Sequence, residues 1–240
     1  MADKDSSDKT DSDAKASAGQ SLNEQNWPGL LAITAFNLIV FAVVAATDPK
    51  WLSNLATAWA FLLPAGVGLA MIRVVNGLIN ARNKDRLVFW KWRHPLPGSE
   101  AFSVHARNDD RFTEQDVKGK LSTLGVDPKT LEDPAAQNAY WYRSVFYPLQ
   151  DKPAVQQAAR NFLFARDYTA ISFVMLIALG IASRLVIAKW PLYCGGLLAQ
   201  YLLVRWAARN YGIETVKNAL AAWVSAPVKT GTTPQDDRSG

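Results

Sequence analysis

The amino-acid sequence predicts a mainly α, polytopic membrane protein: four transmembrane helices in two hairpins, with a small α(+β) cytoplasmic insert between them. Two observations carry that expectation. Charge is almost absent from four segments of the 240-residue chain and concentrated elsewhere, so a mean hydropathy of −0.04 hides two populations. Lys and Arg are also unevenly shared among the connecting segments, which sets a direction across the bilayer. The single Cys194 excludes a disulfide scaffold within the chain.

Residues 1–26 hold six acidic residues and three lysines, with Leu22 the one large aliphatic. Such a stretch buries too little apolar surface to fold and lacks the basic start of a signal peptide, so a disordered tail followed by a retained anchor is expected. Pro28–Thr47 then runs twenty residues without a charge, about 30 Å as a helix and enough to cross hydrocarbon. Trp51–Ile72 is charge-free over 22 more, after only Asp48, Pro49 and Lys50. These two spans make the first hairpin, residues 27–80, with Trp27 and Trp51 at belt positions.

The second hairpin, residues 168–210, is less regular. Tyr168–Ser183 is charge-free for sixteen residues and reaches spanning length by accepting Arg184 near its end, where an arginine snorkels. Lys189, Trp190 and Pro191 mark a turn. Leu192–Val204 then continues to Arg205 and Trp206, which anchor the far end. A re-entrant second hairpin is the competing reading.

Between the hairpins, residues 81–167 carry fourteen Lys/Arg, which sets this segment in the cytoplasm. With four spans both termini are cytoplasmic as well. Arg82, Lys84, Arg86, Lys91 and Arg93 interleave with Trp90 and Trp92 in a pattern that also suits single-stranded nucleic acid. So close to a membrane exit, anchoring in lipid headgroups is the better reading, and no direct nucleic-acid binding is expected. Phe102, Val104 and Ala106 alternate with polar residues, which predicts a short strand over Ala101–Arg107, paired with RLVFWKW.

The rest of the insert reads as helix. Thr113 with Asp116 forms a capping pair, Val117, Leu121 and Leu124 share a face, and Gly125 stops it. Asp133-Pro134 starts a second helix through Tyr140, Trp141 and Tyr142. Pro153 starts a third with no breaker before Ala188, so one helix of about 36 residues runs into the third span. Residues 211–240 comprise a helical extension, Glu214–Val224, and a polar tail.

Chemistry-bearing residues are sparse. His94 and His105 are the only histidines, and neither they nor Cys194 make a ligand cluster, so no metal, cofactor or catalytic group is expected. Asn37, Thr57, Pro64 and Gln200 lie within spans and either line a pore or pack by hydrogen bonds. No Asp or Glu falls inside a span. The run Gln137–Arg143 is the most distinctive local feature of the insert; Tyr140, Trp141 and Arg143, with His105, are the candidate contacts for a partner or signal.

The two hairpins around a basic insert, with KWRHPLPG, QNAYWYR and ARNFLFARD, resemble a group of uncharacterised bacterial inner-membrane proteins across about residues 28 to 220. In outline the chain is also similar to membrane effectors of antiphage defence. That resemblance implies homo-oligomers that perturb the membrane on a cytosolic protein or small-molecule signal. A passive scaffold that recruits a soluble partner is the alternative, and a hydrolase at the membrane interface using His105 the third.

Overall fold

A computed structural model describes residues 25–46, 79–107 and 109–227. The second expected span, with Trp51, Thr57 and Pro64, residues 1–24 and residues 228–240 lie outside them; Gln25 and Asn26, expected as the end of a disordered tail, are instead structured, and Asn26 is buried because its amide bonds the Arg160 carbonyl. The described residues are mainly helical: α1 (Trp27–Ala46), α2 (Ala81–Phe89), α3 (Glu114–Thr123), α4 (Pro134–Tyr140), α5 (Pro153–Val186) and α6 (Trp190–Ser225). A six-residue π-helix, Trp141–Phe146, continues α4. The chain divides into two compact units. Of the described residues, one takes in those up to Pro95 with Gln157–Gly212; the other takes in Leu96–Gln156 and those from Ile213 on. The changes of unit at 156/157 and 212/213 fall inside α5 and α6.

Of the described helices, α1 and α5 are long and apolar enough to cross a membrane. Helix α6 is as long as α5, but Arg205 and Arg209 enter it about four turns after its start and shorten the apolar run. Polar side chains in α1 satisfy themselves on their own helix. Thr34 Oγ1 donates to the Leu30 carbonyl at 2.8 Å and Asn37 Nδ2 to that of Ile33 at 2.9 Å, as an apolar environment requires.

The insert contains no strand among the described residues. Residues Ala101–Arg107, expected as a strand, form turns and a 3₁₀ turn at His105–Arg107. The reason is local competition for backbone donors. Gln137 Oε1 accepts from the Phe102 N–H at 2.8 Å and the Ser103 N–H at 3.2 Å, so groups that a strand would offer to a neighbour are taken by a side chain. The proposed pairing segment is also unavailable. Asn80 caps α2 by accepting from the Asn83 N–H at 2.9 Å, and Lys84 and Val88 share the buried face of that helix at i, i+4.

The expected punctuation of the other helices is present. Thr113 and Asp116 form a reciprocal capping box on α3, Asp133 accepts from the Ala136 N–H with Pro134 in the first turn of α4, and Gly125 has φ of 69°. In the Leu96–Gln156/Ile213 unit, Val117, Leu121, Leu131, Trp141, Val145 and Val155 pack with Val216, Leu220 and Trp223 in one core. Lys120 closes the end of α6: its ammonium donates to the carbonyls of Trp223, Val224 and Ala226 and lies over the Trp223 ring, neutralising the negative helix terminus.

Candidate functional site

In the unit containing α1, the first notable constellation is a buried charge cluster that sequence reasoning did not anticipate. Helix α2 supplies Lys84 and Asp85, and α5 supplies Arg166 and Asp167. Lys84 Nζ lies 3.1 Å from Asp167 Oδ1, Arg166 Nε 3.2 Å from the same oxygen, and Arg166 Nη1 3.8 Å from Asp85 Oδ1. Two cations and two anions leave no net charge, which is the condition for burying them at all. Burial depresses the Lys84 ammonium below its ordinary range, with Asp167 opposing. It pushes the Asp85 carboxyl up to about 6, with Arg166 opposing.

Lys84 therefore differs from its expected place in the headgroups, for its side chain is only 7% exposed. The signal was in the sequence: Lys-Asp and Arg-Asp dipeptides stand just outside hydrophobic segments, where an acidic residue needs a partner.

Other residues expected at the interface are on the surface. Arg82, Lys91 and Arg93 are exposed, as are Trp90, Trp92 and Trp206. Trp27 is half-buried against the cluster of Leu30, Ile171 and Met175. The Arg205 guanidinium stacks over Trp90 at 3.7 Å and Arg86 over Trp92 at 5.7 Å. Trp90 ends α2 with φ of 53°, a conformation costly for a bulky residue, and its indole N–H donates to the Tyr201 hydroxyl at 3.2 Å.

Two of the four polar span residues come together. Asn37 and Gln200 line one cavity of about 440 Å³, with Tyr193 and Lys189. Gln200 Nε2 also donates to the Tyr168 hydroxyl at 2.9 Å. A second cavity, of about 570 Å³, is lined from Asn26 and Arg160 to Tyr168 and Val204.

In the unit containing α3 and α4, the candidate contact residues separate by role. Trp141 is 7% exposed, stacks on Phe146 at 5.2 Å and belongs to the core. Tyr140 packs on Phe102 at 5.7 Å, and His105 is buried. Of the four, Arg143 is the one on the surface. Exposed close to it in the chain are Tyr142, adjacent to it, and Tyr147, which opens the next, 3₁₀, turn, at 51% and 59%; sequence reasoning missed both. A π-helix widens the turn and redirects successive side chains, and α-helical spacing gives no hint of it. Gly98 lets this segment approach closely: a Cβ there would sit 2.5 Å from Asn138 Oδ1 and 2.6 Å from Trp141 Cε3.

Comparison with protein-family models, curated proteins and solved structures finds no match to this chain.

Proposed function

We propose that the chain is a four-span membrane protein with both termini in the cytoplasm. In this reading its cytoplasmic helical unit receives a cytosolic protein or small-molecule signal at Tyr142, Arg143 and Tyr147 and passes it to the membrane helices. The supporting observation is that, in α1 and the apolar part of α5, small polar side chains are buried while many large apolar ones are exposed, although Leu30, Phe41, Ile171 and Met175 pack inside. Thr34, Asn37, Thr169, Ser172 and Ser183 are buried, whereas Phe36, Ile39, Val43, Ile177, Ile181 and Leu185 are 50–75% exposed. A water-soluble helix pair would reverse that order; lipid makes it favourable. Exposed tyrosines around an arginine suit a polar, aromatic-rich contact.

The topology test uses Cys194→Ser as background, with single cysteines at Ser103 and Lys189. An impermeant maleimide should reach position 103 only from the cytoplasmic side and position 189 only from the opposite side. Labelling of both from one side would sink the four-span reading. For transmission, proteoliposomes are exposed to cytosol with and without Arg143→Ala. Dye release that depends on Arg143 supports a transmitting protein, and photocrosslinking at 143 without release favours the passive scaffold.

A further inference from the structure

The 570 Å³ cavity lies within one unit and is lined from α1, α5 and α6. Its two ends differ in chemistry. At one, Asn26 is buried and clamps Arg160: its Nδ2 donates to the Arg160 carbonyl at 3.1 Å, and its Oδ1 accepts from Arg160 Nε at 3.5 Å. Neither terminal nitrogen of the guanidinium hydrogen-bonds a described residue. Beside them, Asn161 Oδ1 is occupied by Gln157 Nε2 at 2.9 Å, so the Asn161 amide has its N–H₂ to offer. Among the described residues no carboxylate lines the cavity, and Arg160 makes no ion pair with a described residue. At the other end the walls are Phe164, Val204 and the ring of Tyr168, whose hydroxyl is already engaged by Gln200. Asn26 immediately precedes α1 and Arg160 lies two turns before the apolar part of α5, so the polar end belongs where headgroups begin.

We propose that this cavity binds one anionic phospholipid, with the phosphate on Arg160 and Asn161 and an acyl chain against Phe164 and Val204. A guanidinium held by its Nε and free at both terminal nitrogens is arranged for bidentate contact with phosphate. A cationic amine on the headgroup would meet no carboxylate among the described lining residues, whereas the phosphate meets Arg160 and Asn161. Free phosphate would satisfy the rim and leave the apolar walls uncovered.

The inference rests on the membrane reading, and the experiment separates the two. Wild type, Arg160→Gln and Val204→Trp are extracted from membranes after an alkaline carbonate wash. Native mass spectrometry then follows binding of phosphatidylglycerol against phosphatidylcholine. Wild type should prefer phosphatidylglycerol by about tenfold, as for one charge-assisted contact. Arg160→Gln should abolish the preference, and Val204→Trp should reduce retention of both lipids by filling the apolar end. Inorganic phosphate should displace neither. Equal retention of the two lipids, an unchanged preference in Arg160→Gln, or displacement by inorganic phosphate overturns the inference alone. Release by the carbonate wash overturns the membrane reading with it.

Discussion

Asp167→Asn is the sharpest probe of the unit built on α1, α2 and α5. Asp167 carries the charge that two cations share: Lys84 at 3.1 Å and Arg166 at 3.2 Å, with the Asp167 side chain 1% exposed. The amide keeps the shape and removes the charge, so Lys84 is left in a site whose desolvation already depresses its basicity. Breaking a buried pair from one side costs about 3–5 kcal/mol, most of it the orphaned charge. At about 2–4 °C per kcal/mol for a chain of this length, the melting temperature in detergent should fall by roughly 6–20 °C. The second arm removes both partners. Lys84→Met with Asp167→Leu leaves Arg166 facing Asp85 and should recover to within about 1 kcal/mol of wild type, because desolvation and attraction nearly cancel in such pairs. An Asp167→Asn protein that melts with wild type would refute the reasoning. So would a double variant as unstable as the single one.

Two further outcomes follow from other groups. Asp85 has its carboxyl raised from the ordinary 3.8 to about 6, so its contribution is fully present below about pH 4 and is lost as pH rises through 6, on the order of 3 kcal/mol. Relative to Asp85→Asn, wild type should therefore gain stability on acidification across that window in pH-resolved unfolding, and parallel profiles would contradict the assignment. Gln137→Ala strips the acceptor from the Phe102 and Ser103 N–H groups and the donor at 2.9 Å to the Leu131 carbonyl. The loss should be about 2–4 kcal/mol, with amide exchange accelerating first at residues 102 and 103; uniform exchange would argue against a local lock.

What was legible in the sequence is what depends on near neighbours. Thr113/Asp116, Asp133-Pro134 and Pro153 announce helix starts because caps are satisfied within four residues. The long helix through residue 186 follows from the absence of a breaker. The strand over Ala101–Arg107 failed because its outcome was decided by Gln137, more than thirty residues away, and periodicity cannot register such a partner. Lys84 was misread for the same reason, since its neighbours in sequence are a basic and aromatic stretch while its partner in space is Asp167. The proposed contact surface was half legible: Arg143 was visible as a charge, but the π-helix that carries Tyr142 outward and Trp141 inward leaves no mark on α-helical spacing.

The exposure of large apolar side chains along α1 and α5 also has a calorimetric meaning. On the proposed membrane reading, helices whose apolar faces stay in hydrocarbon transfer little surface to water when they separate, so their association carries little heat-capacity change. The core around Val117, Leu121, Val145, Val216 and Leu220 hides its surface from water and should carry the usual large positive one. Cooling thus weakens one half of the chain and leaves the other nearly untouched. On that reading the contacts between the membrane helices, such as Gln200 with Tyr168, hold as well in the cold as in the warm.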